Sequence, residues 1–131
     1  MGRLRGNYVT FRRQTREQDI DAESQTEHYI IEGDSRNYLG YVTVRRLNDP
    51  NEIAATVLVN ENGVWEQPEG KDILRAIEKY AFATSDSPHF AVEVSGQDEG
   101  ALKRLNDSGF RPRGEKSRWR TVVLVKDRAE D

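Results

Sequence analysis

The feature that most constrains the fold is an amphipathic helix predicted over residues 72–83. Apolar residues recur there at helical spacing and share one face: Ile73, Leu74, Ile77, Tyr80 and Ala81. Charged residues occupy the opposite side, and residues 85–88 supply the Ser and Pro that end the helix. A single apolar face indicates a helix that packs on one side against the rest of the chain.

Segments with β-strand character precede this helix at residues 8–11, 28–32, 38–47 and 52–59. Short turns rich in Gly, Pro, Asn and Asp join the last three, so we expect them to form an antiparallel meander. Residues 38–44 and 54–59 are largely apolar, which predicts strands covered on both faces, with Tyr38 and Tyr41 in or beside the core. Residues 12–27 are highly polar and indicate a loop or a frayed helix.

A strand, a helix and a final strand are predicted after the first helix, at residues 90–94, 98–108 and 118–125. Ser95 and Asp98 have the spacing of a capping box at the start of the second helix. Gly109 suits the left-handed position that follows a helix, and Phe110 suits the next position, where an apolar side chain packs back on the last turn.

Length and composition limit the classes of protein to consider. The 131 residues suit a single domain, 1–131, with residues 1–7 and 126–131 expected as frayed tails. A net charge of -3, from 20 basic and 23 acidic residues, favours neither nucleic acid nor membrane as a partner. The chain has no Cys, which fits a cytoplasmic protein, and no apolar run long enough to span a bilayer.

Two short motifs frame the first helix. The first is the loop Gln67-Pro68-Glu69-Gly70-Lys71-Asp72, and the second combines Val94, Asp98, Ala101 and the Gly109-Phe110 helix ending. Their order and spacing resemble the acetyl-CoA-binding core of the GNAT (N-acetyltransferase) superfamily, whose loop motif is Gln/Arg-x-x-Gly-x-Gly/Ala. The resemblance covers roughly residues 28–125.

The resemblance implies an α+β fold, with a mixed, mainly antiparallel sheet of five to six strands and helices on both faces. The strand before the loop is expected to splay from the strand after the helix, and the pantetheine arm of acetyl-CoA would lie in that cleft. A helix N-terminus beside a glycine suits the pyrophosphate. The cofactor-binding residues implied are Val57, Leu58, Val59, Gln67, Gly70, Lys71, Asp98 and Ala101.

The implied function is an acyl-CoA-dependent N-acyltransferase that moves an acetyl group to an amine on a small molecule or protein. Glu52, at the start of the strand before the loop, is the candidate base and would act directly or through water. The only histidines are His28 and His89, and no metal-ligand spacing is present. A homodimer is one possible assembly.

Three departures from the family pattern keep an alternative open. Asp72 replaces a small residue, Leu105 stands where many members have a proton-donating Tyr, and residues 12–27 are short for the usual helix pair. These departures suit a catalytically inactive GNAT-like domain that binds a protein partner or self-associates. A third hypothesis is an unrelated α+β binding domain with the same element order. Trp65, beside the loop, is expected either to stack on a ligand or to pack.

Overall fold

A computed structural model describes residues 4, 6–14, 26–33, 36–48, 51–60, 62–116 and 121–127. The strands in this part of the chain are β1 (Val9–Gln14), β2 (Thr26–Gly33), β3 (Tyr38–Asn48), β4 (Asn51–Val59), β5 (His89–Ser95), β6 (Arg111–Lys116) and β7 (Thr121–Asp127). Helix α1 (Pro68–Thr84) lies between β4 and β5, and helix α2 (Glu99–Asp107) follows β5. A 3-10 turn at Asn62–Glu66 precedes α1.

The strands form one seven-stranded sheet in the order β1-β2-β3-β4-β5-β7-β6. Strands β1 to β4 are an antiparallel meander, which confirms the meander predicted for β2, β3 and β4 and adds β1 to it. The pair β4–β5 is parallel, because α1 carries the chain back across the sheet between them, and the remaining pairs are antiparallel.

The sheet has more strands than the five to six expected from the sequence. The additional strand is β6, whose sequence Arg-Pro-Arg-Gly-Glu-Lys lacks apolar alternation and contains a proline. An edge strand needs only one neighbour and tolerates proline, so this segment pairs with β7 alone. The predicted last strand, 118–125, is β7 in the structure, and residues 117–120 lie outside the described residues.

Both α-helices of the described chain pack on the same face of the sheet, whereas the resemblance implied helices on both faces. Phe90, Val92 and Val94 of β5 point to that face and are almost fully buried. One apolar cluster joins them to Ile73 and Ile77 of α1 and, through α2, to Leu105, Ala101 and the following Phe110. Phe90 and Phe110 meet edge to face, with ring centroids 6.0 Å apart.

Three helix boundaries follow from local chemistry. Helix α1 begins four residues before the predicted start, because Gln67 is extended and Pro68 occupies the first helical position, where no N–H is needed. Asp98, rather than Ser95, caps α2 through the N–H of Ala101, at 3.1 Å. The α2 ending is as predicted: Gly109 has φ 95°, and the Phe110 N–H donates to the Leu105 carbonyl at 2.9 Å.

The opposite side of the sheet, called the open face below, carries exposed apolar residues. Tyr38, Tyr41 and Leu58 are 48%, 40% and 44% exposed, so the expectation that both tyrosines lie in or beside the core was wrong. Within the described ranges no helix covers this face, and apolar runs in β3 and β4 therefore do not imply burial on both sides. Of the polar stretch 12–27, predicted as a loop or a frayed helix, residues 12–14 and 26–27 lie in strands β1 and β2, and residues 15–25 lie outside the described residues.

Parts of both expected tails belong to the folded core. Leu4 is 8% exposed and joins the apolar cluster. At the other end, Lys126 and Asp127 lie in β7, and Lys126 forms an ion pair with Glu78 of α1 at 2.5 Å. Residues 1–3, 5 and 128–131 lie outside the described residues.

Candidate functional site

The parallel strands β4 and β5 separate part-way along their length. Their pairing runs from Ile53 opposite Phe90 to Thr56 opposite Glu93, and ends there. Beyond that point Val57, Leu58 and Val59 pair only with β3. We call the point of separation the fork. It lies where the resemblance implied a splay, with Val94 and Ser95 continuing the second wall.

The end of β4 has backbone hydrogen-bonding groups that suit an extended amide chain. Val57 and Val59 are buried on the helix side, whereas Leu58 is exposed on the open face. Backbone groups on the β5 side of this segment have no register partner in β5. Such groups pair readily with an added extended chain, in the way that a strand joins a sheet edge.

The N-terminus of α1 has few free backbone donors. No side chain caps it, and Pro68 has no N–H. The Gln67 N–H donates to the Val64 carbonyl at 3.1 Å, and the Gly70 N–H donates to the Gln67 carbonyl at 3.0 Å. Of the first-turn donors, these bonds leave the N–H of Glu69. The exposed side chains of Gln67 and Lys71 add polar groups for a phosphate.

Gly70 is required by the packing of the 3-10 turn. A Cβ at this position would lie 2.5 Å from the Trp65 Cα and 2.5 Å from the Val64 carbonyl oxygen. The space above Gly70 is therefore filled by protein backbone. This explains the glycine without a phosphate, which is a different role from the one that the loop motif implied.

Trp65 packs between the loop and α2. It is 2% exposed, and its indole Nε1–H donates to Asp98 Oδ2 at 2.9 Å. The Arg104 guanidinium donates twice to the Trp65 carbonyl, at 3.1 and 2.7 Å. Of the two expected roles for Trp65, the geometry favours packing. The Asp98 carboxylate accepts hydrogen bonds from the Trp65 indole and from the Ala101 N–H, and Ala101 is fully buried. Both residues therefore support the loop from inside the protein.

Asp72 is a buried anchor for the start of β1. Its Oδ2 accepts from the Tyr8 N–H at 2.7 Å and the Val9 N–H at 3.2 Å, and its Oδ1 accepts from Arg75 at 2.8 Å. Burial alone would raise the pKa of Asp72, but the Asn7 N–H, the Arg75 guanidinium and the Tyr8 N–H outweigh it and lower the pKa. The charge is satisfied within the protein. It has a structural role at the position where the motif has a small residue.

The predicted base, Glu52, lies at the far end of β4 from the fork. It is 9% exposed, and its Oε1 is 3.0 Å from His89 Nε2. At the rise of a β-strand, its Cα is about 17 Å from that of Val57. The structure thus brings together Glu52 and His89, but it does not bring Glu52 to the separated strands. Leu105 is fully buried and belongs to the core.

A carboxylate that the sequence interpretation missed lies at the fork itself. Glu93 is half-buried on the open face, where Thr56 donates to its Oε1 at 3.2 Å and Thr121 to its Oε2 at 2.9 Å. One signal was present in the sequence: Glu93 is the charged residue within an otherwise apolar strand segment, 90–94.

The described part of the chain lacks two further features, a metal-binding cluster and a membrane-spanning helix. It contains no group of three or more His, Cys, Asp or Glu arranged to hold a metal ion. It also contains no helix long and apolar enough to cross a membrane.

The fold matches solved acetyltransferase structures at low sequence identity. The N-terminal domain of ribosomal-protein-alanine acetyltransferase from Clostridium acetobutylicum ATCC 824 has a TM-score of 0.69 and 17% identity, covering 95% of this chain and 94% of that one. Dodecameric spermidine N-acetyltransferase from Vibrio cholerae has a TM-score of 0.66 and 11% identity, covering 92% and 94%. This chain has a GNAT-like fold. No family model and no curated protein matches its sequence.

A further solved structure that matches this fold is a domain from Methanocaldococcus jannaschii DSM 2661. It has a TM-score of 0.66 at 13% identity and covers 92% of this chain and 98% of that chain. At such identities the likeness concerns the fold, and the chemistry must be argued from the residues of this chain.

Proposed function

We infer that this protein is an acyl-CoA-dependent N-acyltransferase that moves an acetyl group to an amine. The observation that supports this most strongly is the fork, where β4 leaves β5 after Thr56 and one edge of Val57–Val59 has no partner in β5. A fully paired parallel sheet would have no such edge. The GNAT-like neighbours that share the fold are acetyltransferases by name.

Acetyl-CoA supplies the activated acetyl group, and the residues of the fork and of the α1 start suit it. The edge of Val57, Leu58 and Val59 suits the amide-bearing pantetheine arm. Gln67, Lys71 and the Glu69 N–H suit the phosphates, while Gly70, Asp98 and Ala101 hold the loop that presents them.

The acceptor is proposed to be an amine on a small molecule or a protein. The named neighbours act on spermidine and on a ribosomal-protein alanine, which are both amines. A dodecameric neighbour also motivates an oligomer, of which a homodimer is the simplest. Glu52 is the base that the resemblance implies, but its Cα lies about 17 Å along β4 from that of Val57, so it is too distant to contact an amine at the fork directly. A cytoplasmic location stays a prediction.

A transfer assay tests this function. Protein is mixed with acetyl-CoA and either spermidine or a peptide with an N-terminal alanine, and free CoA thiol and acetylated product are measured. Amine-dependent release of thiol is expected. Acetyl-CoA that binds but is never transferred to any amine would contradict the enzyme hypothesis.

A charge-reversal pair tests the position of the phosphates. Lys71→Glu, at the start of α1, should weaken acetyl-CoA binding about threefold to tenfold, since it replaces an attractive charge with a repulsive one. Lys79→Glu, equally exposed on the same helix but about three turns from its start, should leave the affinity unchanged. Titration calorimetry measures both. An equal effect of the two variants would show that the phosphates do not bind at the α1 start.

The alternative is a catalytically inactive GNAT-like module that self-associates. The commitment of Gln67 and Gly70 N–H groups within the loop and the burial of Leu105 favour it. Sedimentation analysis without acetyl-CoA tests this alternative. A dimer or larger oligomer, together with a failure to bind acetyl-CoA, would support it over the enzyme.

A further inference from the structure

A row of polar side chains crosses the open face and ends at the fork. His28 Nδ1 is 3.2 Å from Thr43 Oγ1, and Thr43 lies directly opposite Thr56 in the β3–β4 register. Thr56 donates to Glu93, and Thr121 donates to it from the other side. The row therefore connects β2 with the last paired position of β4 and β5.

Glu93 differs from the carboxylates of β2 and β4 in the charge of its partners. Those carboxylates each have a basic partner: Glu27 with Arg46, Glu32 with Arg12 and Glu52 with His89. Among the described residues, Glu93 is hydrogen-bonded to the two threonine hydroxyls, and no described basic side chain lies within salt-bridge distance of it. A half-buried carboxylate whose described partners are neutral suits a ligand that brings a cation.

A hollow of about 430 Å³ lies on the same face beside this row. Its lining includes Tyr38, Tyr41, Ile30 and Thr43. Tyr41 pairs with Leu58, two residues along β4 from Thr56. From strand spacing and rise, the Cα atoms of Tyr41 and Glu93 are about 12 Å apart. An extended aliphatic chain of several methylenes spans such a distance, and its apolar body suits the aromatic lining.

We propose that Glu93 binds the acceptor as a primary ammonium and accepts its proton, while the tail of an aliphatic amine lies in the hollow beside Tyr41. This proposal rests on the N-acyltransferase function above and specifies its acceptor class. It assigns the acid–base role at the fork to Glu93 in place of the more distant Glu52. The carboxylate attracts the cation, and the tyrosine rings add apolar and cation–π contact.

The transfer step forms one carbon–nitrogen bond, breaks one carbon–sulfur bond and removes two protons from the ammonium. The ammonium gives one proton to the Glu93 carboxylate, and the amine nitrogen forms a bond to the thioester carbonyl carbon. The carbon–sulfur bond breaks with its electron pair on sulfur, which takes the second proton from the nitrogen. The products are the N-acetyl amine and the free thiol, and Glu93 releases its proton to solvent.

The test uses the full chain, acetyl-CoA and three probes, n-propylamine, n-pentylamine and n-heptylamine. For the wild type, kcat/KM should rise about threefold for each methylene that the hollow buries. Glu93→Gln should lower kcat/KM at least about 100-fold for every probe, with acetyl-CoA affinity within about twofold of wild type. Tyr41→Ala should mainly remove the dependence on chain length. Glu32→Gln, the same substitution on the same face, should match the wild type.

Each remaining outcome has a definite meaning. The proposal is overturned if Glu93→Gln stays within about threefold of wild type, or if Glu52→Gln alone shows the loss. If acetyl-CoA does not bind, the proposed function fails independently. Binding of n-heptylammonium to the wild-type protein, with no CoA species present, is then compared with its binding to Glu93→Gln. Loss of at least tenfold in affinity supports the ammonium site, and equal affinity or no binding overturns it.

Discussion

At the scale of single residues, the role inferred for Asp72 from the sequence differs from the role that its partners show in the structure. As a departure from the loop motif it suggests a charge that repels phosphates. In the structure its carboxylate faces the backbone of Tyr8 and Val9 and the side chain of Arg75. Removing it would release the start of β1 from α1, so a neutral residue here is expected to weaken the fold.

Asp72→Asn should lower the free energy of unfolding by about 1–3 kcal/mol, because a buried charged acceptor loses strength while its donors stay buried. Urea denaturation measures the change. Asp86→Asn, at an exposed position after α1, is the control and should stay within about 0.5 kcal/mol of wild type. Equal stability of both variants would show that the Asp72 contacts contribute nothing to folding.

The lowered pKa of Glu27 determines how this residue makes the stability of the fold depend on pH. Burial alone would raise its pKa, but hydrogen bonds from Tyr29 and Tyr80, at 2.6 and 2.5 Å, and the charge of Arg46 outweigh it and lower the pKa. A carboxyl whose folded pKa is lowered stabilises the fold above its unfolded pKa, near 4.3. That stabilisation is lost as the pH falls through the folded value.

The free energy of unfolding should therefore decrease as the pH is lowered from 6 to 3, measured by urea denaturation at each pH. Glu27→Gln should be less stable than the wild type at pH 6 and should lose less on acidification, since it lacks the titrating group. An identical decrease in both proteins would contradict a stabilising role for the ionised Glu27.

Residue-scale prediction from sequence succeeded where the partners are close in the chain. Gly109 and Phe110 were assigned correctly because a helix ending is decided within a few residues. It failed for Asp72 and Glu93, which contact residues far away in the chain. Asp72 contacts residues 63 and 64 positions away, and no local pattern specifies such a contact.

At the scale of elements, the 3-10 turn before α1 depends on Gly70. Gly70→Ala should lower the free energy of unfolding by about 1–3 kcal/mol, because the new Cβ would overlap the backbone of Val64 and Trp65. Gly63→Ala is the matched control, since nothing lies within 4 Å of a Cβ there. Thermal or urea unfolding measures both. Similar losses for the two variants would mean that helix–turn packing is not the cause.

Prediction of the elements succeeded where a periodic apolar pattern was present. The stripe of α1 and the meander strands were found with small boundary errors, because burial imposes that pattern. β6 was missed because its sequence, Arg-Pro-Arg-Gly-Glu-Lys, has no apolar alternation. The start of α1 was missed because its first turn packs through Gly70 rather than through apolar side chains.

At the scale of the whole molecule, element order predicted a GNAT-like sheet but not which face the helices cover. The order strand–helix–strand around α1 is enough to place β4 beside β5, and hence to place the fork. The covering of each face depends on long-range packing, which apolar runs in β3 and β4 did not reveal. The open face with Tyr38 and Tyr41 is the result.

The central claim is that the edge of β4 at the fork binds an acyl-CoA. The most direct measurement is thermal unfolding with and without millimolar acetyl-CoA. Acetyl-CoA at about 100 times its Kd should stabilise the fold by about 2.7 kcal/mol, which raises Tm by several degrees. An unchanged Tm with acetyl-CoA and with other CoA esters at millimolar concentration would contradict the claim.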